Sequence, residues 1–136
     1  MNVISMKKPQ FSAYFFTESG VDVVRRWFEA CVNAEAEWSA FQGQLDIFKA
    51  GGYHAIKSTT VELGNGLYGF KVQRSGGAIP CPIFTIGPFD KETEITFLIG
   101  ARWDEVKKRV RPYGSEGTAE ENLETLVGDS KRRRRG

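Results

Sequence analysis

The chain has 136 residues, of which 40% are hydrophobic and 26% charged, enough for a single domain with one core and too little for two of comparable weight. Nowhere do about 18 apolar residues run together, and Lys7 and Lys8 are not followed by an apolar run, so neither a membrane span nor a signal peptide is expected. The net charge of +2 is unevenly laid out: residues 1–100 carry nine Lys/Arg against ten Asp/Glu, residues 101–112 five against two, residues 113–129 none against five, and residues 130–136 five against none. A basic block, an acidic block and a basic tail in succession fit a region that meets polyanions or a charged partner. A run of like charge is also compatible with a solvated tail that has no target.

Taken in chain order, residues 1–10 lack periodicity and contain Pro9, and Phe11 to Thr17 reads as a first, aromatic strand. Val24, Trp27, Phe28 and Cys31 then recur at helical spacing, which predicts a helix over about 21–32. Asn33 breaks that pattern and precedes a second helix in which Trp38, Phe41, Leu45 and Phe48 repeat, ended by Gly51 and Gly52. These aromatic stripes are core-forming, because short helices persist only when one face is buried. From Tyr53 onward, glycine-marked turns at 64–66 and 75–77 separate short strands at Leu67 to Arg74, Ile83 to Ile86 and Glu94 to Arg102. Pro80 and Pro82 make the third strand start late or lie at an edge. Ala119, Leu123, Leu126 and Val127 predict a short amphipathic helix over 118–127.

The expected class is therefore α+β: a small antiparallel sheet of about four strands, an N-terminal helical hairpin packed on one face, and a short C-terminal helix. One domain is expected over 1–136, folded from about 11 to 128, with flexible tails at 1–10 and 129–136. Cys31 and Cys81 lie fifty positions apart, which is no disulfide framework and fits a reducing, cytoplasmic setting. With His54 they make three candidate zinc ligands where a structural site takes four, so no metal or other cofactor is expected. Two-histidine nuclease, Ser-His-Asp and Walker signatures are missing as well.

Four stretches, FSAYFFTESGVDVVRRWFEA, AFQGQLDIFKAGG, LGNGLYGFKVQRSGG and IFTIGPFDKETEITFLIGARWDEVKK, in this order and spacing, resemble the RelE/ParE toxin superfamily and its HigB-type, phage-derived branch. The resemblance spans roughly 11–135. It implies a RelE-like fold and the toxin of a type II toxin–antitoxin pair, a metal-independent, ribosome-dependent mRNA endonuclease. The implied partners are an antitoxin of helix-turn-helix type, the ribosome and mRNA. Such cleavage lets a ribose 2′-hydroxyl attack the adjacent phosphate, so cations must neutralise developing charge.

Carried over position by position, the pattern implies Lys71, Arg74 and Arg102 as catalytic cations. Lys107, Lys108, Arg109, Arg111 and Tyr113 follow as the RNA-binding set. Two departures stand out: Cys81 occupies a position at which many relatives open a strand with arginine, and Trp103-Asp104 falls where a basic pair is usual. Two readings without cleavage stand beside the enzyme: an inhibitor of the same superfamily that acts by binding, and a phage accessory protein that binds nucleic acid.

Overall fold

The computed structural model describes residues 11–73 and 78–136. In chain order these form β1 (Ser12–Glu18), β2 (Val21–Asp22), α1 (Val23–Glu29), α2 (Ala34–Gly51), α3 (Tyr53–Ile56) with a 3-10 turn (Lys57–Thr59), β3 (Thr60–Gly64) and β4 (Leu67–Phe70). There follow β5 (Ile79–Pro80), β6 (Ile83–Ile86), β7 (Glu94–Ile99), β8 (Arg102–Asp104), β9 (Arg109–Arg111), α4 (Ser115–Gly128) and β10 (Arg133–Arg135).

The expectation of a small antiparallel sheet of about four strands with an N-terminal helical hairpin packed on one face is overturned. The main sheet has seven strands in the order β10-β1-β7-β6-β4-β3, with β2 attached to β1, and a second sheet has three in the order β5-β8-β9. It is also mixed, because β1 runs parallel to β7, with Ser12 opposite Glu94 and Phe15 opposite Phe97. Parallel neighbours need a long crossover between them and leave no hairpin turn in the sequence, so local turn chemistry is blind to this pairing. The β3–β4 and β6–β7 pairs of the main sheet are antiparallel neighbours that follow their turns. Asn65-Gly66 closes the β3–β4 hairpin with Gly64 opposite Leu67, and both loop residues adopt the positive φ that a tight two-residue turn demands.

Residues 129–136, expected as a flexible tail, supply the strand β10, which pairs antiparallel with β1 and puts Arg133 opposite Phe16. The reason is that Arg133 has specific partners. Its guanidinium forks onto the Glu94 carboxylate at 2.8 and 3.1 Å, donates to Thr96 Oγ1 at 3.0 Å, and lies 3.6 Å from the Tyr14 ring and 4.7 Å from the Phe89 ring. Glu94 in turn accepts from the N–H groups of Phe89 and Asp90. Both charged side chains are nearly buried, a placement that charge alone forbids and pairing allows.

The core is aromatic. Phe41 of α2 sits within 6.1 Å of the rings of Phe15, Phe28, Trp38, Phe70 and Phe97, so one side chain joins both helices to three strands. Alternation along β7 points Phe97 toward Phe41 and Thr96 and Leu98 the other way, yet both sets are buried. The second face is covered by α4, which packs across β4, β6 and β7 and whose Asn122 donates to the Leu98 carbonyl at 2.8 Å. The helices thus lie on both sides of the sheet. Among the described residues, no helix is long and apolar enough to cross a membrane.

Arg133→Ala is expected to lower the unfolding free energy by about 3 kcal/mol, because it strands the nearly buried Glu94 carboxylate. Arg135→Ala, on an exposed side chain of the same strand, should change it by less than about 0.5 kcal/mol. Urea denaturation of the two variants measures the contrast; equal effects would mean that the ion pair does not hold the strand.

Candidate nucleic-acid interface

The three-stranded sheet begins where β7 ends, at Gly100 and Ala101. Asp104 folds the chain back after β8: its Oδ1 accepts from the N–H groups of Val106 at 3.0 Å and Lys107 at 3.1 Å, an Asx turn, and Lys108 completes the reversal with φ of 54°. The Lys107 N–H, together with that of Val106 and the nearby Arg111, holds the Asp104 carboxyl below its ordinary pKa of 3.8. Strand β9 then returns with Arg102 opposite Arg111, Trp103 opposite Val110 and Asp104 opposite Arg109.

This register sorts the side chains by face. Trp103 and Val110 point into the core, and Arg102, Asp104, Arg109 and Arg111 point out. On the outer face Arg111 reaches Asp104 at 3.4 Å, and Arg109 lies 4.0 Å from the ring of Tyr113, which is 79% exposed. Lys107 and Arg109 make no ion pair among the described residues. Trp27, Ala78, Arg102, Arg111 and Pro112 line one hollow of about 510 Å³. Asp104, Lys107, Arg109, Arg111, Pro112 and Tyr113 line another of about 510 Å³. Arg111 and Pro112 border both, so the two hollows adjoin.

Arg102 is bound more tightly than its neighbours. It forks onto Glu37 of α2 at 2.8 and 3.2 Å, donates to the Ala78 carbonyl at 2.9 Å, and lies 5.3 Å from the Trp27 ring. The hydrogen bonds to Glu37 hold its guanidinium above the ordinary arginine value. Glu37 itself is 1% exposed. Gly100 positions the indole: a Cβ there would fall 2.3 Å from Trp27, so only glycine lets the ring lie against the chain beside Arg102.

The sequence-predicted residues are therefore divided. Arg102, Lys107, Arg109, Arg111 and Tyr113 share one face. Lys108 is tied to Glu105 at the turn. Lys71 lies on the core side of the small sheet, half-buried with its ammonium 5.4 Å from the Trp103 ring, and does not join Arg102. Arg74 lies outside the described residues. Cys81 is fully buried, and burial pushes its thiol up to about 12, so at neutral pH it offers neither charge nor a thiolate at the position where the resemblance implies an arginine.

Sequence reasoning missed Trp27 and Glu37. Trp27 read as one more core aromatic. Glu37 did carry a signal, because it sits four residues before Phe41 on the stripe continued by Leu45 and Phe48, and an acid on a buried stripe announces a buried cation.

Comparison with protein-family models returns no match, and comparison with curated proteins returns none either.

Arg102→Ala is expected to cost about 3 kcal/mol of stability, because a 1% exposed carboxylate loses its bidentate guanidinium; chemical denaturation reads the loss. Asp104, whose folded pKa is depressed, contributes stability that is complete above its unfolded value and disappears as pH falls through the folded one. The melting-temperature advantage of wild type over Asp104→Asn should accordingly hold near neutral pH and shrink only below pH 3.8. An advantage that instead grew on acidification would show that the turn does not depend on the charged carboxylate.

Proposed function

We propose that this protein is an RNA-binding inhibitor of toxin type, which acts by occupying its target through the outer face of β8 and β9 rather than by cutting it. The observation that carries this reading is the adjoining pair of hollows lined by Arg102, Arg109, Arg111 and Lys107 together with Trp27 and Tyr113. Cations grip phosphates without regard to sequence, and exposed rings stack on unpaired bases, which is the chemistry of single-stranded RNA recognition. The resemblance to the RelE/ParE superfamily supports RNA and the ribosome as the target, an antitoxin as the silencing partner and the cytoplasm as the setting.

Two placements favour binding over cleavage. Metal-independent cleavage asks for several cations converging on one phosphate, and Lys71 lies behind the sheet that carries Arg102. Arg102 already spends its fork on Glu37, which leaves less of its charge for a phosphoryl oxygen. The endonuclease reading keeps one observation of its own: Arg102 and Arg111 border the same hollow, wide enough for a phosphate and its ribose.

Fluorescence anisotropy with a labelled 20-nucleotide single-stranded RNA tests the proposal. Wild type should bind with a steep salt dependence, and Arg109→Ala/Arg111→Ala should weaken binding at least about tenfold and lower the log–log salt slope by about 1.4, two phosphates at about 0.7 each. Tyr113→Ala should weaken it by about fivefold or more, the value of one stacked base. Induced expression in bacteria separates the two readings: growth arrest with intact transcripts supports occupancy, and new mapped ends that vanish in Arg102→Ala support cleavage. Absence of RNA binding at low salt would end both.

A further inference from the structure

A second basic hollow lies on the other side of α1, and no local pattern in the chain points to it, because its two pairs of arginines lie more than a hundred positions apart. Its volume is about 520 Å³, and its walls include Arg25 and Arg26 of α1, Trp38 of α2, and Arg134 and Arg135 of β10. Neighbouring residues of a strand point to opposite faces, so a hollow bordered by both Arg134 and Arg135 wraps the edge of the main sheet, which β10 forms. The carboxylates that face it are already engaged. Asp22 accepts from the N–H groups of Val24 at 3.1 Å and Arg25 at 3.0 Å, and Glu29 pairs with Arg25 at 3.5 Å. Arg134 and Arg135 are exposed and make no ion pair among the described residues.

Helix α1 contributes to both basic regions, with Trp27 lining the hollow beside Arg102 and Arg25 and Arg26 lining this one. The indoles of Trp27 and Trp38 flank a single ring, Phe28, at 5.1 and 5.3 Å. Arg25 lies 4.6 Å from the Trp38 ring, so the second hollow repeats the arrangement of the first, a cation beside an indole. From this repetition across one short helix we infer that a single RNA strand crosses α1, running from the β8–β9 face to the hollow at the β10 edge. There Arg134 and Arg135 take phosphodiesters beyond those held by Arg109 and Arg111. The inference rests on the RNA-binding reading above and adds a length requirement: a strand too short to cross α1 cannot use the second hollow.

Binding of 6- and 20-nucleotide single-stranded RNAs to wild type and to Arg134→Gln/Arg135→Gln tests it. Both substitutions fall on exposed side chains and keep the backbone pairing of β10, so the variant should melt with wild type. The double substitution is expected to leave the 6-mer within about twofold, weaken the 20-mer by about fivefold or more, and lower the salt slope for the 20-mer alone by about 1.4. Arg109→Ala/Arg111→Ala should weaken both RNAs. If wild type binds both and the glutamine variant matches it on the 20-mer, or loses the 6-mer equally, the track across α1 is overturned and the β8–β9 reading survives. If wild type binds neither RNA, both fall together.

Discussion

The buried pairing of Glu37 with Arg102 is the interaction on which the small sheet depends. A carboxylate on the apolar stripe of α2 is tolerable only with a cation brought to it, and that cation comes from the strand immediately after the sheet's central β7. The same guanidinium holds the Ala78 carbonyl, just before β5. One side chain therefore ties α2 and the approach to β5 to β8. Replacing such a pair by apolar groups is often neutral in stability, so its contribution is better understood as orientation than as energy.

Arginine plays two opposite roles here, and burial separates them. Arg133 and Arg102 are paired with the buried carboxylates of Glu94 and Glu37 and lie beside aromatic rings. Arg111, Arg134 and Arg135 occupy neighbouring or identical strands but are exposed, and Arg109 is half-buried against the Tyr113 ring. The distinction is invisible in net charge. It follows from which arginines have a buried acid within reach: Arg133 meets Glu94 and Arg102 meets Glu37.

Charge on the outer surface is organised around α1. Its seven residues cannot form a stable helix alone, and they are held by Val23, Val24 and Phe28 in the core. Packing that one face leaves Trp27 against Gly100 on one flank and Arg25 and Arg26 on the other. The helix thereby becomes a low ridge between two cationic, aromatic hollows. Phe28 anchors the helix to the aromatic hub around Phe41.

What the sequence by itself determined was local. The aromatic stripe of α2 through Phe41, Leu45 and Phe48, the tight turn at Asn65-Gly66, the strand Ile83 to Ile86 and the amphipathic helix around Leu123 and Leu126 all follow from periodicity and turn chemistry within a few residues. The basic block over 101–112 was countable in the sequence, but the β8–β9 hairpin that gathers Arg102, Lys107, Arg109, Arg111 and Tyr113 is seen only in the structure. Three matters waited for tertiary structure: the parallel seat of β1 beside β7, the docking of the basic tail as β10, and the exile of Lys71 to the far side of Trp103. Each joins or separates residues tens of positions apart, where the deciding terms are burial of a charge against its partner and the closure of a sheet. Neither leaves a periodic mark in the chain.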